Sequence, residues 1–239
     1  MSRLFLIRHG QASFLSDNYD QLSETGESQA QALGEELTAD NIVFDAVFCG
    51  DLVRQVDTAE IVSNVYQDKK LKFPSIKTEV GLNEYPAEEI MTTLGKYLID
   101  SDSNAADLFK KCNDAEGESD RHKYFQKLFE LILEVWVNGD YEDVGLSSTW
   151  EIWSNQVRET LMKIMEKSGK GKLIAVFTSG GPIGVSVQTA LNAPEIKAAE
   201  LNWRIYNCSV TKYTFNKSRF SLDQFNDVSY LPKDLLTYR

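Results

Sequence analysis

The stretch that decides the fold is "LFLIRHGQAS", residues 4–13. It continues the short apolar run "RLFLI" (3–7), which does not alternate with polar residues and therefore reads as a strand buried on both faces. The run ends at Arg8, His9 and Gly10. Only 2 histidines occur in 239 residues, and one of them stands at this strand end. In open α/β sheets the ligand site lies beyond the carboxyl ends of the strands. The residue types there suit an anion: arginine offers a planar fork for phosphate oxygens, glycine admits a close backbone approach, and a neutral imidazole is a nucleophile near neutral pH. The tripeptide alone reads first as a histidine satisfied in a tight turn.

Working outward, "VFDAVFC" (43–49) and "KLIAVFT" (172–178) are further buried strands, "SIKTEV" (75–80) is a short third, and "SVTKYTF" (209–215) alternates like a late strand. Helices fall between them. "LSETGESQAQALGEEL" (22–37) starts at Ser23 and puts Ala30, Leu33 and Leu37 on one face. "DLVRQVDTAEIVSNVY" (51–66) takes Asp51 as its expected N-cap. "GGPIGVSVQTAL" (180–191) carries Pro182 near its start. Alternating strands and helices imply an α/β fold of three layers, a mostly parallel sheet between helices. Residues 86–146 show helical pattern only, including the aromatic-rich "DRHKYFQKLFELILEVWV" (120–137). They read as a helical insertion, a cap over one edge of the sheet, within a single domain spanning 1–239. Its aromatics Tyr97, Phe109, Tyr124, Phe125, Phe129 and Trp136 suit a core of the insertion. A long helix (148–172), ended by glycines, returns to the sheet.

Composition narrows the function. The net charge of −11 and pI near 4.8 argue against nucleic acid and anionic membranes as partners, which need a basic face. No run approaches the ~18 apolar residues of a membrane helix, and no signal peptide is expected at the N-terminus. Cys49, Cys112 and Cys208 are widely spaced and odd in number, which suggests a reducing cytoplasm rather than a disulfide framework. The histidines, His9 and His122, offer no metal-ligand spacing, so neither metal nor cofactor is expected.

Two residues join His9 as candidates. Arg54 lies early in the helix after the second strand, and Glu84, in "GLNEY", follows the third. Singly, one reads as a solvated charge and the other as a loop carboxylate. Together with Arg8 and His9, they make a phosphotransfer set at three strand ends.

The ordered segments "LIRHGQAS", "LSETGESQAQALGEEL", "VFCGDLVRQVDTAEIV" and "GLNEY" resemble the histidine phosphatase superfamily, the phosphoglycerate mutase-like proteins. Leu22, Gly26, Gln29 and Ala30, then Arg54, Thr58 and Ala59, then Leu82 and Glu84 carry the pattern. The resemblance covers about 1–85 and, through "IAVFTSGGPIGV", about 150–235. It implies the phosphoglycerate mutase-like fold. His9 would then be the residue transiently phosphorylated, Arg8 and Arg54 the holders of phosphoryl oxygens, and Glu84 the proton donor to the leaving oxygen. The expected ligand is a small-molecule phosphate ester.

Two positions depart from that pattern. Ser179 stands where the family places a second histidine, and Tyr230 stands where another histidine is common. A serine can donate a hydrogen bond but brings no positive charge. Gly180 and Gly181 open a helix, whose N–H groups still favour an anion. Phosphate binding with slow turnover is therefore expected, since losing one preorganised donor typically costs ~10²–10³ in rate. The alternatives are a phosphate-ligand binding or scaffold protein without catalysis, and a mutase, for which nothing here supplies the exclusion of water. A serine nucleophile elbow at Ser179 is disfavoured because Phe177 replaces its leading glycine and no histidine follows.

Overall fold

The computed structural model describes residues 1–13 and 20–238. The chain divides into two compact units, one made of Met1–Glu84 with Gln156–Arg239 and the other of Tyr85–Asn155.

The first unit is built on a six-stranded sheet in the order β3-β2-β4-β1-β5-β6. Its strands are β1 (Ser2–Arg8), β2 (Ala46–Cys49), β3 (Ile76–Thr78), β4 (Leu173–Thr178), β5 (Val210–Asn216) and β6 (Arg219–Asp227). β3, β2, β4 and β1 run parallel, whereas β5 and β6 pair antiparallel. The central strands are the non-alternating apolar runs, as burial on both faces requires. Phe5, Ile7, Val47, Ala175 and Phe177 point to one face. There they pack with Leu33 and Leu37 of α1 (Glu24–Ala39) and with Ala59, Val62 and Tyr66 of α2 (Val53–Asp68). Leu4, Leu6, Ile174 and Val176 take the alternate positions and are wholly covered on the other face. On that side α8 (Gly180–Leu191) packs on β1. Each Val, Leu, Ile or Phe among them contributes about 1.5–3 kcal/mol on burial.

Ser23 caps α1 as its sequence implies, accepting from the Gly26 N–H at 3.1 Å. α2 is different. Its N-cap is Leu52, without a side-chain bond. Asp51 instead pairs with Asn83, whose Oδ1 accepts the Asp51 N–H at 3.0 Å. The carboxylate that meets the start of α2 comes from Asp20, whose Oδ2 accepts from the Val53 N–H at 2.8 Å.

The second unit is helical. It comprises α3 (Ala87–Glu89), a π-helical turn (Ile90–Gly95), α4 (Lys96–Ser101), α5 (Ser103–Asp114) and α6 (Glu118–Asn138). The first residues of α7 (Trp150–Ser168) belong to it as well. Its core holds Ile90, Leu94, Ile132 and Leu133 beside a cluster of Tyr85, Trp136, Trp150 and Trp153. Trp136 meets Trp150 edge-on at 5.4 Å between ring centroids, the geometry that ring quadrupoles favour. Phe129 and Trp136 join this core, while Phe109 is exposed. Among the described residues no helix is long and apolar enough to cross a membrane.

Candidate active site

β1 delivers His9 to the carboxyl end of the sheet, and several backbone bonds fix it there. Its N–H donates to the Thr178 carbonyl of β4 at 2.9 Å. Its carbonyl accepts from the Cys208 N–H at 3.3 Å and from Asn207 Nδ2 at 3.2 Å. The next turn is held by residues of the helical motifs. Thr58 Oγ1 accepts the Gly10 N–H at 3.0 Å, and Gln29 Oε1 accepts the Gln11 N–H at 2.8 Å. Gly10 and Gly26 let the turn lie against the start of α1. A Cβ on Gly10 would stand 2.4 Å from the Gly26 carbonyl oxygen.

The His9 side chain is 5% exposed, and its tautomer follows from its partners. Nδ1 lies 2.7 Å from the Gly10 carbonyl oxygen, which can only accept. Arg54 Nε, which can only donate, lies 3.0 Å from Nε2. Nδ1 therefore carries the hydrogen and Nε2 presents its lone pair. Burial holds the imidazole well below its ordinary pKa, and the Arg54 and Arg8 guanidiniums push the same way, against a smaller opposing effect of the Gly10 carbonyl. Protonation would also set two donors, Nε2–H and Arg54 Nε–H, against each other.

Arg54, in the first turn of α2, is 8% exposed. Its Nη1 donates to Asp20 Oδ1 at 2.6 Å. A buried guanidinium needs such a partner, because desolvating a lone charge costs several kcal/mol. Arg8 also lies close enough to bear on His9, and its Nη1 donates to the Ile205 carbonyl. The Gly181 N–H, at the start of α8, donates to Glu84 Oε2 at 3.1 Å. Arg8 pairs with Thr178 in the β1–β4 register, so Ser179 follows beside His9. Ser179 is wholly buried and accepts from Gln55 Nε2 at 2.8 Å. Gly180 is buried at the same helix start. Tyr230 donates through its hydroxyl to the Cys208 carbonyl at 2.5 Å.

The sequence-derived residues thus fall at neighbouring strand ends of one sheet, with His9 and Arg54 in direct contact. Sequence reasoning overlooked two residues. Asp20 sits two positions before Leu22 in a polar turn, and Gln55 follows Arg54 in a helix where a glutamine reads as solvated. Among the described residues no group of three or more His, Cys, Asp or Glu could hold a metal ion.

Known proteins resemble this chain in sequence and in fold. The model of the histidine phosphatase superfamily (branch 1) matches residues 4–119 and 112–228. A 2,3-bisphosphoglycerate-dependent phosphoglycerate mutase from Nitrosomonas europaea is 39% identical over 69 residues. That match spans 26% of this chain and only 30% of the length of the mutase. Among solved structures, a mutant phosphoserine phosphatase from Entamoeba histolytica in complex with phosphoserine superposes with a TM-score of 0.64 at 16% identity, covering 97% of this chain and 100% of the other. A phosphoglycerate mutase from Bacillus anthracis gives 0.64 at 20% identity, covering 96% and 94%. At these identities the likeness establishes the fold, an α/β fold of the phosphoglycerate mutase-like kind.

Proposed function

The chain belongs to the histidine phosphatase superfamily, and from that footing we propose that it is a phosphomonoester hydrolase working through a phosphohistidine at His9 Nε2. The observation that carries this reading is the neutral, buried His9, with Nδ1–H held by the Gly10 carbonyl and the Nε2 lone pair facing Arg54. An incoming phosphoryl group draws the Arg54 guanidinium onto its oxygens and so releases Nε2 for attack. Nε2 forms the N–P bond as the ester P–O bond breaks. Glu84 gives its proton to the leaving oxygen, then takes one from the water that attacks the phosphohistidine. Inorganic phosphate leaves and His9 is neutral again. Arg8, Arg54 and the N–H groups that open α8, at Gly180, meet the developing charge, and Ser179 adds a neutral donor in place of a second imidazole.

A small phosphate ester is the substrate class. The Entamoeba histolytica enzyme, solved with phosphoserine and with 3-phosphoglyceric acid, makes esters of that size the first to test. The three cysteines are free, which suits the cytoplasm. A second reading, a binding protein with little turnover, draws on Ser179, which brings no charge and is wholly covered.

The test is hydrolysis of an aryl phosphate by wild type and His9→Ala, with acid-quench trapping of labelled phosphoenzyme. Turnover and an acid-labile phosphoenzyme, both lost in His9→Ala, are expected. Turnover that survives His9→Ala overturns the mechanism. Phosphate binding without turnover selects the second reading.

A further inference from the structure

Gln55 is wholly buried, like Ser179, and its amide orientation is fixed. Nε2 donates to the Leu82 carbonyl at 3.3 Å as well as to Ser179 Oγ at 2.8 Å. Reversing the amide would set Oε1 against that carbonyl oxygen. Ser179 Oγ is therefore the acceptor in this pair, and the serine's proton must point elsewhere. It has no acceptor among the described residues. Ser179 is also the N-cap of α8, yet its side chain makes no bond to the helix N–H groups, the usual work of a serine in that position. Gln55 Oε1 has no partner among the described residues either. Unmade bonds of buried polar atoms each cost about 1–3 kcal/mol, so each calls for an explanation, of which a functional role is one. The direction of the Gln55–Ser179 bond thus leaves one uncommitted donor at the start of α8, beside His9.

We propose that Gln55 is a positioning residue for Ser179: by donating to Ser179 Oγ, it reserves the serine's own proton for the phosphate. The two neutral side chains act as one donor. The inference rests on the phosphate-binding part of the proposed function and does not require turnover.

The experiment is calorimetric titration of inorganic phosphate into the full chain. Ser179→Ala weakens binding about tenfold or more, the loss expected for a hydrogen bond to a charged group. Gln55→Met, which is similar in size but lacks the donor, weakens it by a comparable factor. The double variant is no weaker than Ser179→Ala within about twofold, because the second change finds nothing left to remove. Ser179→Thr, which keeps the hydroxyl, stays near wild type. Thermal melts show that each variant is folded. If Gln55→Met does not fold, the Gln55 side-chain amide resonances are read instead: they shift on phosphate addition in wild type and not in Ser179→Ala. Additive losses, an unchanged affinity in Gln55→Met, amide resonances that respond alike in both proteins, or no phosphate binding by wild type would each overturn the inference. Coupled losses of phosphate affinity in a protein that hydrolyses no ester sustain it while removing the hydrolase reading. Turnover that depends on His9 alongside uncoupled losses does the reverse.

Discussion

Arg54 Nε stands 3.0 Å from His9 Nε2, so the cation proposed to receive a phosphate is bonded, at rest, to the lone pair proposed to attack it. Arg54→Ala removes the charge and also frees the imidazole. If transition-state charge dominates, as preorganised donors usually do, kcat falls by about 10²–10³ and phosphate affinity falls with it. Arg54→Lys recovers only part of the loss, because an ammonium keeps the charge but lacks the planar fork that can hold Asp20 and phosphoryl oxygens in fixed directions. Steady-state kinetics of both variants decide the point, and a kcat within threefold of wild type in Arg54→Ala removes Arg54 from the reaction.

The low pKa of His9 has a consequence for stability. In the unfolded chain the imidazole titrates near 6.5, while in the native protein it stays neutral to well below that. The unfolded state therefore binds more protons as pH falls beneath about 6.5, and native stability declines down to the native pKa. At pH 5 this one group costs up to about 2 kcal/mol. Thermal melts at pH 7.5 and pH 5.0 should show a larger drop for wild type than for His9→Gln. Equal drops would mean that His9 is not held neutral.

Asp20 holds the first turn of α2 through both its oxygens, one to Arg54 Nη1 at 2.6 Å and one to the Val53 N–H at 2.8 Å. Asp20→Ala loses both, and the cap alone is worth about 0.5–2 kcal/mol. Arg54, itself buried, also loses its counter-charge. The expected outcome is a lowered Tm together with a kcat decrease larger than the change in KM, since a loosened Arg54 holds the transition state less well than it screens the ground state. A Tm loss with unchanged kinetics would restrict Asp20 to holding α2.

Much of this was legible in the sequence because burial on both faces leaves a plain mark. β1 and β4 are unbroken apolar runs, and Arg8, His9, Arg54 and Glu84 follow strands that could be seen. What escaped notice lacked such a mark. β6 (Arg219–Asp227) is an edge strand in which no residue is fully buried, so no alternation announces it. The π-helical turn at Ile90–Gly95 departs from the 3.6-residue period by which helices are read. The place of Asp51 in the chain marks it as the cap of α2, yet Asp20 meets the Val53 N–H from 33 residues away. Gln55 is polar in an amphipathic helix, and only the packed structure shows that it lies inside.

The Gly10–Gly26 contact yields a prediction about the turn itself. A Cβ on Gly26 would stand 2.2 Å from the Gln11 carbonyl oxygen, an atom that cannot swing aside. Gly26→Ala must push the His9 turn off α1 at a cost of about 1–3 kcal/mol. For a chain of this size that lowers Tm by roughly 2–4 °C per kcal/mol. Because Gln11 and Gly10 carry the turn on which His9 Nδ1 rests, activity falls as well, even below the melting range. A variant that melts lower but turns over normally at 25 °C would show that the turn tolerates the shift.

The wholly buried Gln55–Ser179 pair predicts how the site responds to a histidine at position 179. An imidazole is larger than a hydroxymethyl group, and Gln55 Nε2 already lies 2.8 Å from Ser179 Oγ. Ser179→His alone therefore overpacks the interior, at about 1–3 kcal/mol, and leaves the new ring with no room to face the phosphate. Such a variant melts lower and gains no activity. Gln55→Ala vacates the space that the ring needs, so Ser179→His combined with Gln55→Ala should recover Tm relative to Ser179→His and exceed wild type in kcat, because an imidazolium adds the charge that a serine lacks. The cycle of wild type, both single variants and the double variant measures this coupling directly. A gain in Ser179→His alone would show that position 179 already has space for the ring, and that the missing charge, not the packing around Gln55, sets the rate.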